Sequence, residues 1–89
     1  MISWDEAKRQ ATLAHRGLDF ADARKVFEGL HFDREDDRID YGEIRYITAG
    51  RLDGRFVVIV WTPRQGGRHI ISMRYGHAKE ERRYQAYLD

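Results

Sequence analysis

The stretch RFVVIVWTPRQGGRHIISMRYGHAKEERRY, Arg55 to Tyr84, decides the fold. Its unbroken apolar run from Phe56 to Trp61 marks a strand covered on both faces, and so the centre of a sheet. PRQGG is a turn, and a second strand follows from Arg68 to Tyr75. Side chains alternate across a strand. The spacing therefore predicts Arg68, Ile70, Ser72 and Arg74 on one face and His69, Ile71, Met73 and Tyr75 on the other. Two arginines and a hydroxyl on one face point to an anion. Beyond Gly76 the pattern becomes charged and helical, from His77 to about Leu88. Glu80 and Tyr84, four apart, then share a helix face beside the end of that strand.

Upstream, the turn GRLDG precedes Arg55, and a strand is expected from Ile44 to Ala49. LHFDREDDRIDYGE contains a short edge strand near Leu30 to Asp33. An acidic turn follows, and Glu35 to Asp37 should stay out of the interior and be mobile. Before residue 30 the period is helical. Ser3 and Glu6 form a capping box, Trp4, Ala7, Ala11 and Ala14 recur at helical spacing, and Gly17 supplies a stop, giving a helix over Trp4 to Arg16. Asp19 caps a second helix with Phe20, Ala23, Val26 and Phe27 as its apolar stripe and Gly29 as its end. These two helices are expected to pair as an antiparallel hairpin. The sum is an α+β domain spanning 1–89: two N-terminal helices, three to four antiparallel strands and a C-terminal helix.

Eighty-nine residues allow one modest core. The chain has no cysteine, and His15, His31, His69 and His77 are not at ligand spacing, so neither a metal nor another cofactor is expected. No apolar run is long enough for a membrane span and no signal sequence precedes the first helix, which makes the cytoplasm the expected compartment. The net charge of +1 conceals a division: residues 1–44 carry net −4 and residues 45–89 carry net +5. Thirteen of the sixteen basic residues are arginine, whose rigid fork of donors suits phosphate. The composition favours a nucleic-acid or acidic-protein partner.

Five landmarks occur in order: the opening WDEAK, the step GLDF, an acidic stretch ending in YGEIRY, a glycine-flanked turn with arginines, and a terminal IISMR followed by Glu80 and Tyr84. Together they resemble the BrnT-type toxins of bacterial type II toxin–antitoxin systems, over nearly the whole chain. The resemblance implies a ribonuclease toxin of RelE-related fold that cleaves RNA to inhibit translation. It also implies neutralisation by a BrnA-type antitoxin with a ribbon-helix-helix domain, operator DNA being bound only by the toxin–antitoxin complex. Three places depart from the family pattern: Thr12 replaces Asn, His15-Arg16-Gly17 replaces Lys-His-Gly, and Arg74-Tyr75-Gly76 replaces Arg-Lys-Ala.

RNA cleavage without a metal proceeds by attack of a 2′-hydroxyl on the adjacent phosphate. It needs a base, an acid and fixed positive charge around the pentacovalent phosphorus. Arg74 and Arg68 fit the last role, with Arg45 as a third donor from the neighbouring strand and Arg55 as a further phosphate contact. Glu43 and Glu80 are candidate bases, each equally suited to holding an arginine, while Tyr84 and His77 are candidate donors. Lys8 lies in the WDEAK signature and, with His15, is a candidate RNA ligand. Trp4 and Trp61 read as packing residues. The competing reading is a non-catalytic module that docks an acidic or DNA-binding partner through its arginine-rich face.

Overall fold

A computed structural model describes all residues 1–89. Five strands form one mixed sheet: β1 (Ile2–Trp4), β2 (His31–Glu35), β3 (Tyr46–Leu52), β4 (Arg55–Arg64) and β5 (Gly67–Tyr75), in the spatial order β1-β5-β4-β3-β2. Strands β2 to β5 are an antiparallel meander. Two of its connections are two-residue turns, Asp53-Gly54 (φ 51° and 83°) and Gln65-Gly66 (φ 52° and 76°). Positive φ at both central positions makes these the tight hairpin turns whose twist matches the flanking strands, with glycine at the second position.

The apolar run occupies the middle of the sheet. Val57, Ile59 and Trp61 of β4 point into one hydrophobic layer with Leu18, Phe20, Val26, Ile70 and Met73. Phe56 and Val58 point into the other, with Ile47, Ala49, Tyr84 and Leu88. Helix α1 (Glu6–Arg16) and the segment formed by a 3₁₀ turn (Phe20–Asp22) and α2 (Ala23–Glu28) cover the first layer, and α3 (Ala78–Leu88) covers the second.

The predicted α+β class, the edge strand and the C-terminal helix are all present, but the sheet is not the expected antiparallel one of three to four strands. It has five strands, and β1 runs parallel to β5, pairing Ile2 with Arg68 and Trp4 with Ile70. This strand takes residues assigned to the head of the first helix. Ile2 and Trp4 pack on the first hydrophobic layer, whereas Ser3 reaches across to His69 Nδ1 at 2.9 Å. The helix starts later, capped by Asp5, whose carboxylate accepts from the amides of Ala7 (2.9 Å) and Lys8 (3.3 Å). A parallel pair needs a long connection, and the chain between β1 and β5 provides it.

The helical hairpin is absent as well. Helix α1 lies over β5 and α2 over β3, and each helix has a strand rather than the other helix as its main neighbour. Helix α1 buries no residue completely, which follows from a stripe made mostly of alanine. The acidic turn also departs from expectation: Asp36 is buried. Its carboxylate accepts two bonds from Arg38 (2.7 and 2.8 Å) and one from the Tyr41 hydroxyl (3.1 Å), which replace the lost water.

Candidate functional site

The register between β4 and β5 determines which side chains meet. Val60 pairs with Ser72 and the next residue, Trp61, with Ile70, so Ile71 is an extra residue on β5. Such a bulge reverses the alternation beyond it. Ile70 and Met73, three apart, consequently face the same hydrophobic layer. Arg68 and Arg74 do not share a face as the spacing predicted. Arg68 lies on the α1/α2 side, its guanidinium carbon 4.0 Å from the Phe27 ring centroid and 5.0 Å from that of Trp61. Arg74 and Ser72 open on the α3 side.

On that side a cleft of about 270 Å³ lies between the sheet and α3, lined by Arg34, Arg38, Ser72, Arg74, Glu80 and Tyr84 over a floor of Ile47, Val58 and Val60. Three guanidinium groups from three parts of the chain converge here. Arg34 comes from the edge strand, Arg38 from the acidic turn and Arg74 from the end of β5. Glu80 binds Arg74 through both carboxylate oxygens, at 2.9 and 2.8 Å, and also accepts from the His77 amide at 3.1 Å. These bonds, that from Arg74 foremost, hold the Glu80 carboxyl at about 2 and raise the Arg74 guanidinium above its ordinary value. Bidentate pairing uses the two terminal nitrogens of Arg74 and leaves its Nε–H for a ligand. A carboxylate so thoroughly paired is a weak base. Its geometry is that of a group holding an arginine in place.

Tyr84 contributes a hydroxyl at the cleft wall while its ring packs against Phe32 and Phe56. Arg34 Nε donates to that hydroxyl at 3.0 Å, which leaves the phenolic proton free to be donated elsewhere. Arg34 has no carboxylate partner. Arg38 is held by Asp36, whose carboxyl the Arg38 hydrogen bonds pull down to about 2.

A second, open groove shares Arg74 with this cleft and is lined by His15, Arg16, Tyr75 and His77. The end of α1 is tied there by Arg16, which donates to the Met73 carbonyl at 2.9 Å. His77 precedes the first residue of α3, so both histidines sit where a helix terminus meets the end of β5.

The structure thus gathers Arg74, Glu80 and Tyr84 in one cleft and His77 and His15 in the adjoining groove. It does not bring the remaining candidates there. Arg68 is on the opposite face. Arg45 stacks over Tyr41 (4.1 Å) and pairs with Glu43 (3.1 Å), so neither stands in the cleft. Arg55 stacks on the Tyr75 ring at 3.8 Å, and Lys8 projects from the exposed side of α1. Trp61 packs in the first layer, its Nε1 donating to Thr48 at 2.7 Å. The sequence reading missed Arg34 and Arg38. For Arg34 a signal existed, since it is two residues from Phe32 on the edge strand and shares its face. Arg38 follows the strand in an irregular segment, where no period applies.

One departure from the family pattern has a local explanation. A Cβ on Gly76 would overlap the Phe56 ring, so glycine is the residue that lets Phe56 fill the second layer. Beside it the Tyr75 ring serves as the platform for Arg55.

No curated protein matches the chain. The family model described as the ribonuclease toxin BrnT of type II toxin–antitoxin systems matches residues 4–80. That stretch runs from the end of β1, through all the helical and strand residues lining the cleft apart from Tyr84, to Glu80, and it shows that the chain belongs to the BrnT family of ribonuclease toxins.

Proposed function

We propose that this protein is a metal-independent endoribonuclease toxin that inhibits translation by cutting RNA in the cleft between β5 and α3. The observation that carries the reading is the convergence of Arg34, Arg38 and Arg74 on a cleft that also holds the Tyr84 hydroxyl. Three guanidinium groups make a cradle for a backbone phosphate and for the extra charge on a pentacovalent phosphorus. Arg74, pre-oriented by Glu80, is the central ligand. The 2′-oxygen attacks phosphorus as the bond to the 5′-oxygen breaks, leaving a 2′,3′-cyclic phosphate. In this proposal Tyr84 donates its proton to the departing 5′-oxygen, and an imidazole of the adjoining groove, His77 or His15, takes the proton of the 2′-hydroxyl. Glu80 serves as the positioning residue for Arg74.

A BrnA-type antitoxin as the neutralising partner, operator binding by the complex alone and a kinship with RelE-type toxins belong to the same proposal, as does the action of residues 1–89 as one toxin domain. The family itself implies a protein antitoxin. The second reading, a non-catalytic docking module, is favoured by one feature: both terminal nitrogens of Arg74 are already occupied by Glu80. Incubation of the purified protein with RNA and a chelator separates the two. Cleavage with cyclic phosphate ends is expected, whereas salt-sensitive RNA binding without cleavage would establish the docking module instead.

A further inference from the structure

Arg68 stands apart from the other cations of this protein. It is half-buried and has no carboxylate partner. Its Nε is fully buried with no acceptor in reach. The Phe27 and Trp61 rings, set nearly perpendicular to each other, lie 4.0 and 5.0 Å from the guanidinium carbon and hold it in the corner between them, while its two terminal nitrogens are not enclosed and make no hydrogen bond. The two acids that line surface cavities together with Arg68 have other partners. Asp33 accepts from Thr48 at 2.6 Å, and Glu28 faces Arg24 at 3.7 Å. A buried donor with no partner is rare in folded proteins, and the unpartnered terminal nitrogens beside it are within reach of a ligand.

The surroundings define that ligand. Arg68 and Met1 line two surface cavities, of about 550 and 620 Å³. The first is apolar, walled by Ile2, Trp4, Ala21 and Phe27, and the second is bordered by Trp61 and Tyr46, stacked at 4.8 Å. A planar carboxylate fits the edge of the guanidinium, and apolar side chains on either side of it fit the two cavities. A polyanion fits poorly. Of the other cations lining these cavities, Arg24 is paired with Glu28 and the Met1 amino terminus is a single charge, and Glu28 and Asp33 flank the site with negative charge.

We propose that this face, on the side of the sheet away from the arginine cleft, is a docking site for the protein antitoxin, which places an aspartate or glutamate on Arg68 and its apolar neighbours in the two cavities. The proposal rests on the family's protein partner, not on the ribonuclease mechanism, and its test reads binding instead of cleavage. The affinity of the cognate antitoxin for the full-length chain is measured by calorimetry for wild type, Arg68→Gln and Arg68→Lys. The glutamine variant should bind at least tenfold more weakly, and lysine, a point charge without the fork, should fall between. Affinities within twofold of wild type for both variants would overturn the site. Hydrogen exchange of the wild-type complex tests it independently of any folding defect in the variants. Antitoxin should protect residues 1–5 and 20–28. Protection confined to residues 34–38 and 72–74, or protection of residues 1–5 and 20–28 by a single-stranded RNA oligonucleotide, would likewise overturn the assignment.

Discussion

Arg68 and Arg74 lie six residues apart on β5 and on opposite faces of the sheet, one set in the corner formed by the Phe27 and Trp61 rings and the other clamped by Glu80. The bulge at Ile71 separates them. Each face of this small protein therefore presents its own arginine in its own setting: a polar cleft with three guanidinium groups on one side, an aromatic seat for a single one on the other.

The cleft gives the first prediction. Arg74→Ala, folded by circular dichroism, should lose RNA cleavage by a factor on the order of 10² to 10³, as expected when a fixed donor to a developing anion is removed. Growth arrest on induction should disappear with it. An Arg74→Ala protein that is folded and still arrests growth would remove Arg74 from the site.

Tyr84→Phe keeps the ring against Phe32 and Phe56 and deletes only the hydroxyl that meets Arg34. Stability should change by about 1 kcal/mol or less. Cleavage of natural RNA should slow by about 10²-fold, the usual scale for a general acid. A substrate with an aryl leaving group in place of the 5′-oxygen needs no proton and should be cleaved by wild type and variant at similar rates. A deficit equal for both substrates would deny Tyr84 the role of acid.

The Glu80 carboxyl titrates at about 2 in the folded chain, below the ordinary 4.5, because Arg74 and the His77 amide bind its charged form. A depressed folded value means that the unfolded chain binds the proton first. The contribution of this pair is full above about 4.5 and is lost as the pH falls toward about 2. Asp36, held at about 2 by Arg38 and Tyr41, adds a loss with the same sign. Urea midpoints measured from neutral pH down to pH about 2 should fall through this window. Glu80→Gln should flatten that fall; an unchanged slope would show that the Arg74 pair contributes nothing to acid stability.

Gly76→Ala places a methyl group in the Phe56 ring and should destabilise by about 1–3 kcal/mol. For a domain of this size that is a drop of roughly 4–8 °C in Tm per kcal/mol. Combining it with Phe56→Leu, which clears the space, should cost less than the sum of the two single changes. Strict additivity in thermal melts would show that the two positions are not in contact.

Much of the fold was written locally. The run from Phe56 to Trp61 identified the central strand, the stretches GRLDG and PRQGG identified the hairpin turns, and the return of charge after Gly76 identified α3. Arg74, Glu80 and Tyr84 could be grouped for the same reason: they follow one another along a strand end and one helix face. Family membership was legible too, as landmarks in linear order.

The amino-acid sequence by itself determined the element types and their order from the first helix onward, because period, caps and turn residues act within a few positions of the chain. What lay beyond it was settled by partners distant in sequence. Ile2 to Trp4 became a strand because β5 offered a free edge and the first layer offered burial. Arg34 and Arg38 joined the cleft because the edge strand and the acidic turn fold beside α3, and Asp36 could be buried only once Arg38 and Tyr41 met it. The faces of Arg68 and Arg74 were decided by a single unpaired residue, Ile71, and only the pairing of β5 with β4 determines where that residue falls. In a strand with period two, one extra residue exchanges the faces of everything after it.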